Sequence, residues 1–87
     1  MNKLREQIDK GVAAEKLLEN PILRQVLSSI EKEIEDGWKG SKSNDQKQRE
    51  NAYYMHRAVQ ALRDRLGGVI TTGNYAQNQL EKENERT

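Results

Sequence analysis

From Ala52 onward, apolar and small residues recur at alternating steps of three and four: Ala52, Met55, Val59, Leu62, Leu66, Val69 and Gly73, and, continuing the spacing, Ala76 and Leu80. A step of three plus a step of four makes seven residues, close to two turns of α-helix, so these positions stay on one face over a long run. No strand can use that period, because strand side chains alternate every two residues. The rest of the chain agrees. It holds one Pro and is rich in Glu, Gln, Lys, Arg, Leu and Ala, and its β-branched residues do not alternate with polar ones. The fold class expected is all-α.

Asn20-Pro21 is the clearest break. An Asn side chain can accept from the free N–H groups of a following first turn, and Pro fits the first helical position because its missing N–H is not needed there. A helix is expected over 21–37, with the stripe Leu23, Val26 or Leu27, Ile30, Ile34 and Trp38. The run Gly37–Asn44 reads as a loop with Trp38 at its tip, and Ser43 with Gln46 reads as a capping box opening the next helix over 44–72. Two long helices joined by a short loop run antiparallel. The expected architecture is therefore an antiparallel hairpin whose seam is Leu23, Leu27, Ile30 and Ile34 against Met55, Val59, Leu62, Leu66 and Val69. An additional N-terminal helix over 3–19 carries Leu4, Ile8, Val12, Leu17 and Leu18. Gly11 interrupts it at a cost of about 1 kcal/mol against Ala. Gly67-Gly68 marks a kink, a close crossing or a break. Thr71–Asn74 reads as a stop, leaving a separate short helix over 75–82 as an alternative to one continuous helix. Residues 1–80 are expected to form a single helical domain, and 81–87 a charged flexible tail.

The apolar inventory is thin for such a fold. Eight Leu, five Ile, four Val and no Phe make 17 strong core formers in 87 residues. A chain this short is marginal even when well cored. With no Cys and a single His, neither a disulfide nor a Cys/His metal staple is possible, so oligomerisation is the remaining stabiliser. With 15 basic and 14 acidic residues, no cationic excess marks a dedicated nucleic-acid binder. No apolar run is long enough for a membrane span, and the lack of Cys fits a cytoplasmic setting, that of a host cell or a virion.

No constellation points to catalysis. His56 has no evident nucleophile or carboxylate partner, Asp45, Glu50 and Asp64 do not pair, and neither a dinucleotide fingerprint nor a phosphate loop is present. No cofactor and no metal site are expected. Lys39, Lys42, Lys47, Arg49 and Arg57, with Arg63 and Arg65, offer phosphate contacts, but interleaved acids cancel much of their field. Helix one, Asn20-Pro21 and helix two could mimic a helix-turn-helix, yet Pro21, Ile22 and Leu23 are poor base readers, and only Arg24 and Gln25 could serve. The aromatics Trp38, Tyr53, Tyr54 and Tyr75 are candidate partner contacts. Tyr53 and Tyr54 are adjacent, so one is expected to pack in the hairpin while the other stays exposed.

The order of features resembles a group of short proteins encoded among the head and DNA-packaging genes of tailed bacteriophages. The resemblance lies in the Asn20-Pro21 helix start, an apolar helix with Trp38 near its end, and a polar loop. It continues with Arg49-Glu50 opening a long helix and a close on Leu66, Ile70, Gly73 and Ala76. It spans about residues 19–80. The resemblance implies a non-enzymatic virion, assembly or packaging-associated role. The leading expectation is a helical assembly protein that self-associates through its seam. The alternatives are a nucleic-acid-binding accessory protein and a small inhibitor that occupies a host protein's surface.

Overall fold

A computed structural model describes residues 3–39 and 46–86. They form three helices, α1 (Lys3–Glu19), α2 (Pro21–Lys39) and α3 (Gln46–Arg86), and no strand occurs among the described residues. The fold is all-α. Asn20 alone separates α1 from α2, and its N–H donates to the Leu17 carbonyl at 3.1 Å, closing the last turn of α1. Pro21 opens α2 as expected. α2 runs two residues beyond the expected boundary, so Trp38 is helical rather than part of a loop. Gly40, Lys42 and the Ser43 half of the proposed capping box lie outside the described residues.

The largest departure from expectation is α3. It runs unbroken for 41 residues through Gly67-Gly68, through Thr71–Asn74 and into the charged segment that reads as a flexible tail. The stop at Thr71–Asn74 and the separate helix over 75–82 are not formed. No glycine takes a positive φ among the described residues, so Gly73 acts as an ordinary helical residue and not as a left-handed cap. The physical reason is packing, which overrides propensity. Gly73 and Ala76 are buried, and Gln77, Gln79 and Leu80 are half-buried, so tertiary contact continues past the point where the sequence looks like an ending.

The contacts fall into two compact units: 1–20 with 64–87, and 21–63. In the first, α1 lies against the C-terminal half of α3. A Cβ built on Gly11 would stand 3.0 Å from the Gly73 Cα and 3.3 Å from the Val69 carbonyl oxygen, and one built on Gly73 would stand 3.0 Å from the Gln7 carbonyl oxygen. Partners that fall from 73 to 69 as α1 rises from 7 to 11 make the pair antiparallel. The buried residues of α1 are Ile8, Gly11 and Ala14, flanked by half-buried Leu4 and Leu18. Gly11 is therefore no interruption of an apolar stripe. It is the point where two backbones meet, and Val12 and Leu17, assigned to the stripe from the sequence, stay exposed.

The second unit is the hairpin of α2 and the N-terminal half of α3. A Cβ on Gly37 would lie 3.1 Å from the Ala52 Cβ, while Glu31, six residues earlier, accepts a hydrogen bond from the Arg63 guanidinium, eleven residues later. That order is antiparallel. Leu27, Ile34 and Ala52 are buried, with Leu23, Ile30 and Val59 half-buried along this unit.

Candidate interaction faces

The expected seam splits. Its α2 members all face inward, but on α3 only Val59 and Leu66 do, while Met55, Leu62 and Val69 stay 36, 42 and 38% exposed. The inward line of α3 follows Ala52, Val59, Leu66, Gly73 and Leu80, one residue in seven, so one of the two alternating positions of the heptad carries most of the contact. The other position, through residue 69, faces out. A helix packed along one narrow line buries only one of the two alternating positions.

The hairpin has two sides. On one, Glu31, Ile34, Glu35 and Trp38 of α2 face His56 and Gln60 of α3 across an open groove of about 290 Å³. Both carboxylates there are engaged: Glu31 with Arg63, and Glu35 with Lys39 at 2.7 Å. The hydrogen bond from Lys39 and the Lys39 charge hold the Glu35 carboxyl below the ordinary range, and the same bond with the Glu35 negative charge raises Lys39. The pair is fully exposed, so it orders side chains more than it stabilises the fold. His56 and Trp38 both line this groove.

On the opposite side, Glu33 and Asp36 of α2 line a groove of about 310 Å³ with Asn51 and Met55 of α3, floored by Gly37 and Ala52. Helical geometry extends this side. Ile22 and Val26 lie eleven and seven residues before Glu33, within about 20° of it around the axis, and Leu62 lies seven after Met55. Ile22 is 67% exposed, and Val26 and Leu62 are exposed as well. An apolar strip with two carboxylates at one end thus runs along this side. Neither Glu33 nor Asp36 stands out in the sequence, and Ile22 enters there only as a poor base reader. The signal available was that Ile22 and Val26, four apart, sit beside the Leu23–Leu27–Ile30–Ile34 stripe rather than on it.

The aromatics divide differently from expectation. Neither Tyr53 nor Tyr54 packs into the hairpin, because Ala52 takes the inward position and the next two residues turn away from it. They stack edge-to-face on each other, with ring centres 5.7 Å apart. The Arg57 guanidinium lies 5.9 Å from the Tyr53 ring centre and donates from Nη1 to its hydroxyl at 3.3 Å. Tyr75 and Trp38 are exposed. The candidate phosphate contacts are not drawn together. Lys39 is held by Glu35 and Arg57 by Tyr53, Lys47 and Arg49, two residues apart, point to opposite sides of α3, and Lys42 lies outside the described residues.

In the first unit, Gln7 and Lys10 of α1 and Arg65, Gly68, Val69 and Thr72 of α3 enclose a largely apolar groove of about 480 Å³. Lys10 makes an exposed i,i+4 pair with Glu6 at 3.3 Å. Among the described residues, no helix is long and apolar enough to cross a membrane, and no three His, Asp or Glu stand close enough to hold a metal ion.

Compared with protein-family models, curated proteins and solved structures, the chain matches none of them.

Proposed function

We propose that this protein works by binding rather than by catalysis, as a helical assembly protein that self-associates and engages other proteins through apolar faces its own fold leaves open. One observation carries the reading. Among the described residues, six hydrophobic side chains are buried and three of those are alanines, whereas eleven large hydrophobic or aromatic side chains stay exposed. Among the described residues no large side chain is fully buried. Scattered exposed apolar residues are normal on a monomer, but Ile22, Val26, Met55 and Leu62 gathered on one side of a hairpin are the kind of patch that marks an interface. Association would supply the burial that the apolar inventory does not.

The order of motifs that resembles the small phage head and packaging-associated proteins supports the same class of role. Light scattering coupled to size exclusion at micromolar concentration tests the reading. A mass above the 10.0 kDa of one chain is expected, falling on dilution. A well-folded, strictly monomeric species at every concentration overturns it.

A further inference from the structure

Two of the grooves described above carry opposite charge, and on that difference we propose a specific contact between copies: the cationic groove of the 1–20/64–87 unit of one molecule docks on the acidic side of the hairpin of another. This deepens the self-association reading and rests on it. The cationic groove has an apolar floor at Gly68 and Val69 and two basic side chains at its rim, Lys10 and Arg65. Its floor is open, since a Cβ on Gly68 would meet nothing within 4 Å. The acidic side offers the converse, with Met55 exposed between the helices and Glu33 and Asp36 at the rim.

The charges are available for exchange. Arg65 and Glu33 form no ion pair among the described residues, Asp36 lies in the field of Lys39 without an ion pair to it, and the Lys10–Glu6 pair is an exposed one of the kind that contributes little. Docking the two grooves brings apolar floor to apolar floor and cation to carboxylate, whereas like surfaces would set cation against cation or acid against acid. Complementary rims of this kind select the partner and raise the rate of encounter, while the apolar centres supply the adhesion. The contact joins two different patches of the same chain. It can be made twice in a symmetric pair or repeated head to tail.

A charge-swap experiment on the full chain decides it. One variant carries Lys10→Glu and Arg65→Glu, the other Glu33→Lys and Asp36→Lys. All four positions are exposed, so no charge is buried by the exchange. Each variant alone should associate roughly tenfold more weakly than wild type, and an equimolar mixture should recover wild-type association, because each reversed rim then meets its complement. Circular dichroism checks that each variant keeps wild-type helicity. Should a reversed variant lose it, the neutral pairs Lys10→Gln with Arg65→Gln and Glu33→Gln with Asp36→Asn replace them, with a weakening of about threefold expected of each. Wild type that associates while the variants associate equally well overturns this contact and leaves self-association standing. So does weakening that mixing fails to restore. A monomeric wild type overturns both.

Discussion

The two units solve the same problem with opposite materials. In the hairpin, α2 and α3 are held together by branched aliphatics, with Leu27 and Ile34 buried and Leu23, Ile30 and Val59 half-buried. In the other unit the tightest contact has no side chain at all: Gly11 and Gly73 meet backbone to backbone, with Ala14 and Ala76 buried nearby. Each helix there carries the same pair, Gly followed by Ala three residues on, which lies on one face. A chain short of large apolar residues can gain dispersion contacts by bringing backbones close, where small side chains permit it. The difference teaches that glycine in a helical pattern has two meanings, and that burial separates them.

The hairpin's dependence on a few aliphatics gives the largest expected effect. Ile34→Asp would put a carboxylate among the few buried side chains of that unit. A cost of several kcal/mol is expected, enough to unfold a domain this small. Leu62→Asp, on the same seam by sequence, should cost under about 1 kcal/mol, because Leu62 is 42% exposed and a carboxylate there remains in water. Thermal melts by circular dichroism distinguish the two. Leu62→Asp should instead lower the mass seen by light scattering, since it places a charge on the open apolar strip. If Leu62→Asp unfolds the protein as Ile34→Asp does, the assigned register of α3 is wrong.

The crossing gives the next effect. At Gly11 and Gly73 an added methyl meets backbone atoms at 3.0 Å, which cannot rotate aside, so the helices must separate. Overpacking of this kind costs about 1–3 kcal/mol, against which alanine's better helix propensity returns about 1 kcal/mol. Gly11→Ala and Gly73→Ala should each be net destabilising by up to about 2 kcal/mol, read as a lowered urea midpoint. The double variant should lose less than the sum, because both methyls push on one contact and the first already opens it.

How much of this was legible follows from the same contrast. The 3–4 period gave the helices, and Asn20-Pro21 marked their first boundary, because both are local properties of the chain. The antiparallel hairpin followed from the short connection. The length of α3 was not legible. Gly73 and the preceding threonines carry the chemistry of a stop, and only the presence of α1 against them turns them into a contact, a fact of tertiary packing that no window of sequence contains. Likewise the heptad marked Met55, Leu62 and Val69 as inward on equal terms with Val59 and Leu66. Which of two alternating positions is covered depends on how far the helices are rolled about their axes, and small residues such as Ala52 and Gly37 decide that roll. The exposed strip at Ile22, Val26, Met55 and Leu62 is the direct consequence, so the candidate interface was hidden inside the expected core.

The smallest effect has the opposite sign and tests the distinction between glycines most directly. Gly67 and Gly68 lie on the same helix as Gly73, only five or six residues away, yet a Cβ on either would meet nothing within 4 Å. They are helical with no positive φ, so alanine fits the backbone without strain. Gly67→Ala should therefore stabilise the chain by about 0.5–1 kcal/mol, through lower entropy of the unfolded state and better helix propensity. For a domain of this size that is a rise in thermal midpoint of about 2–8 °C. Gly68→Ala should do the same for a dilute monomer. At Gly68 the concentration dependence carries extra information, because that glycine floors the cationic groove. A methyl there should raise the midpoint of the monomer while weakening association, whereas the methyl at Gly67, which is not among that groove's lining residues, should leave association unchanged. Equal gains at both positions with association unaltered would confine Gly68 to helix propensity and remove it from any interface.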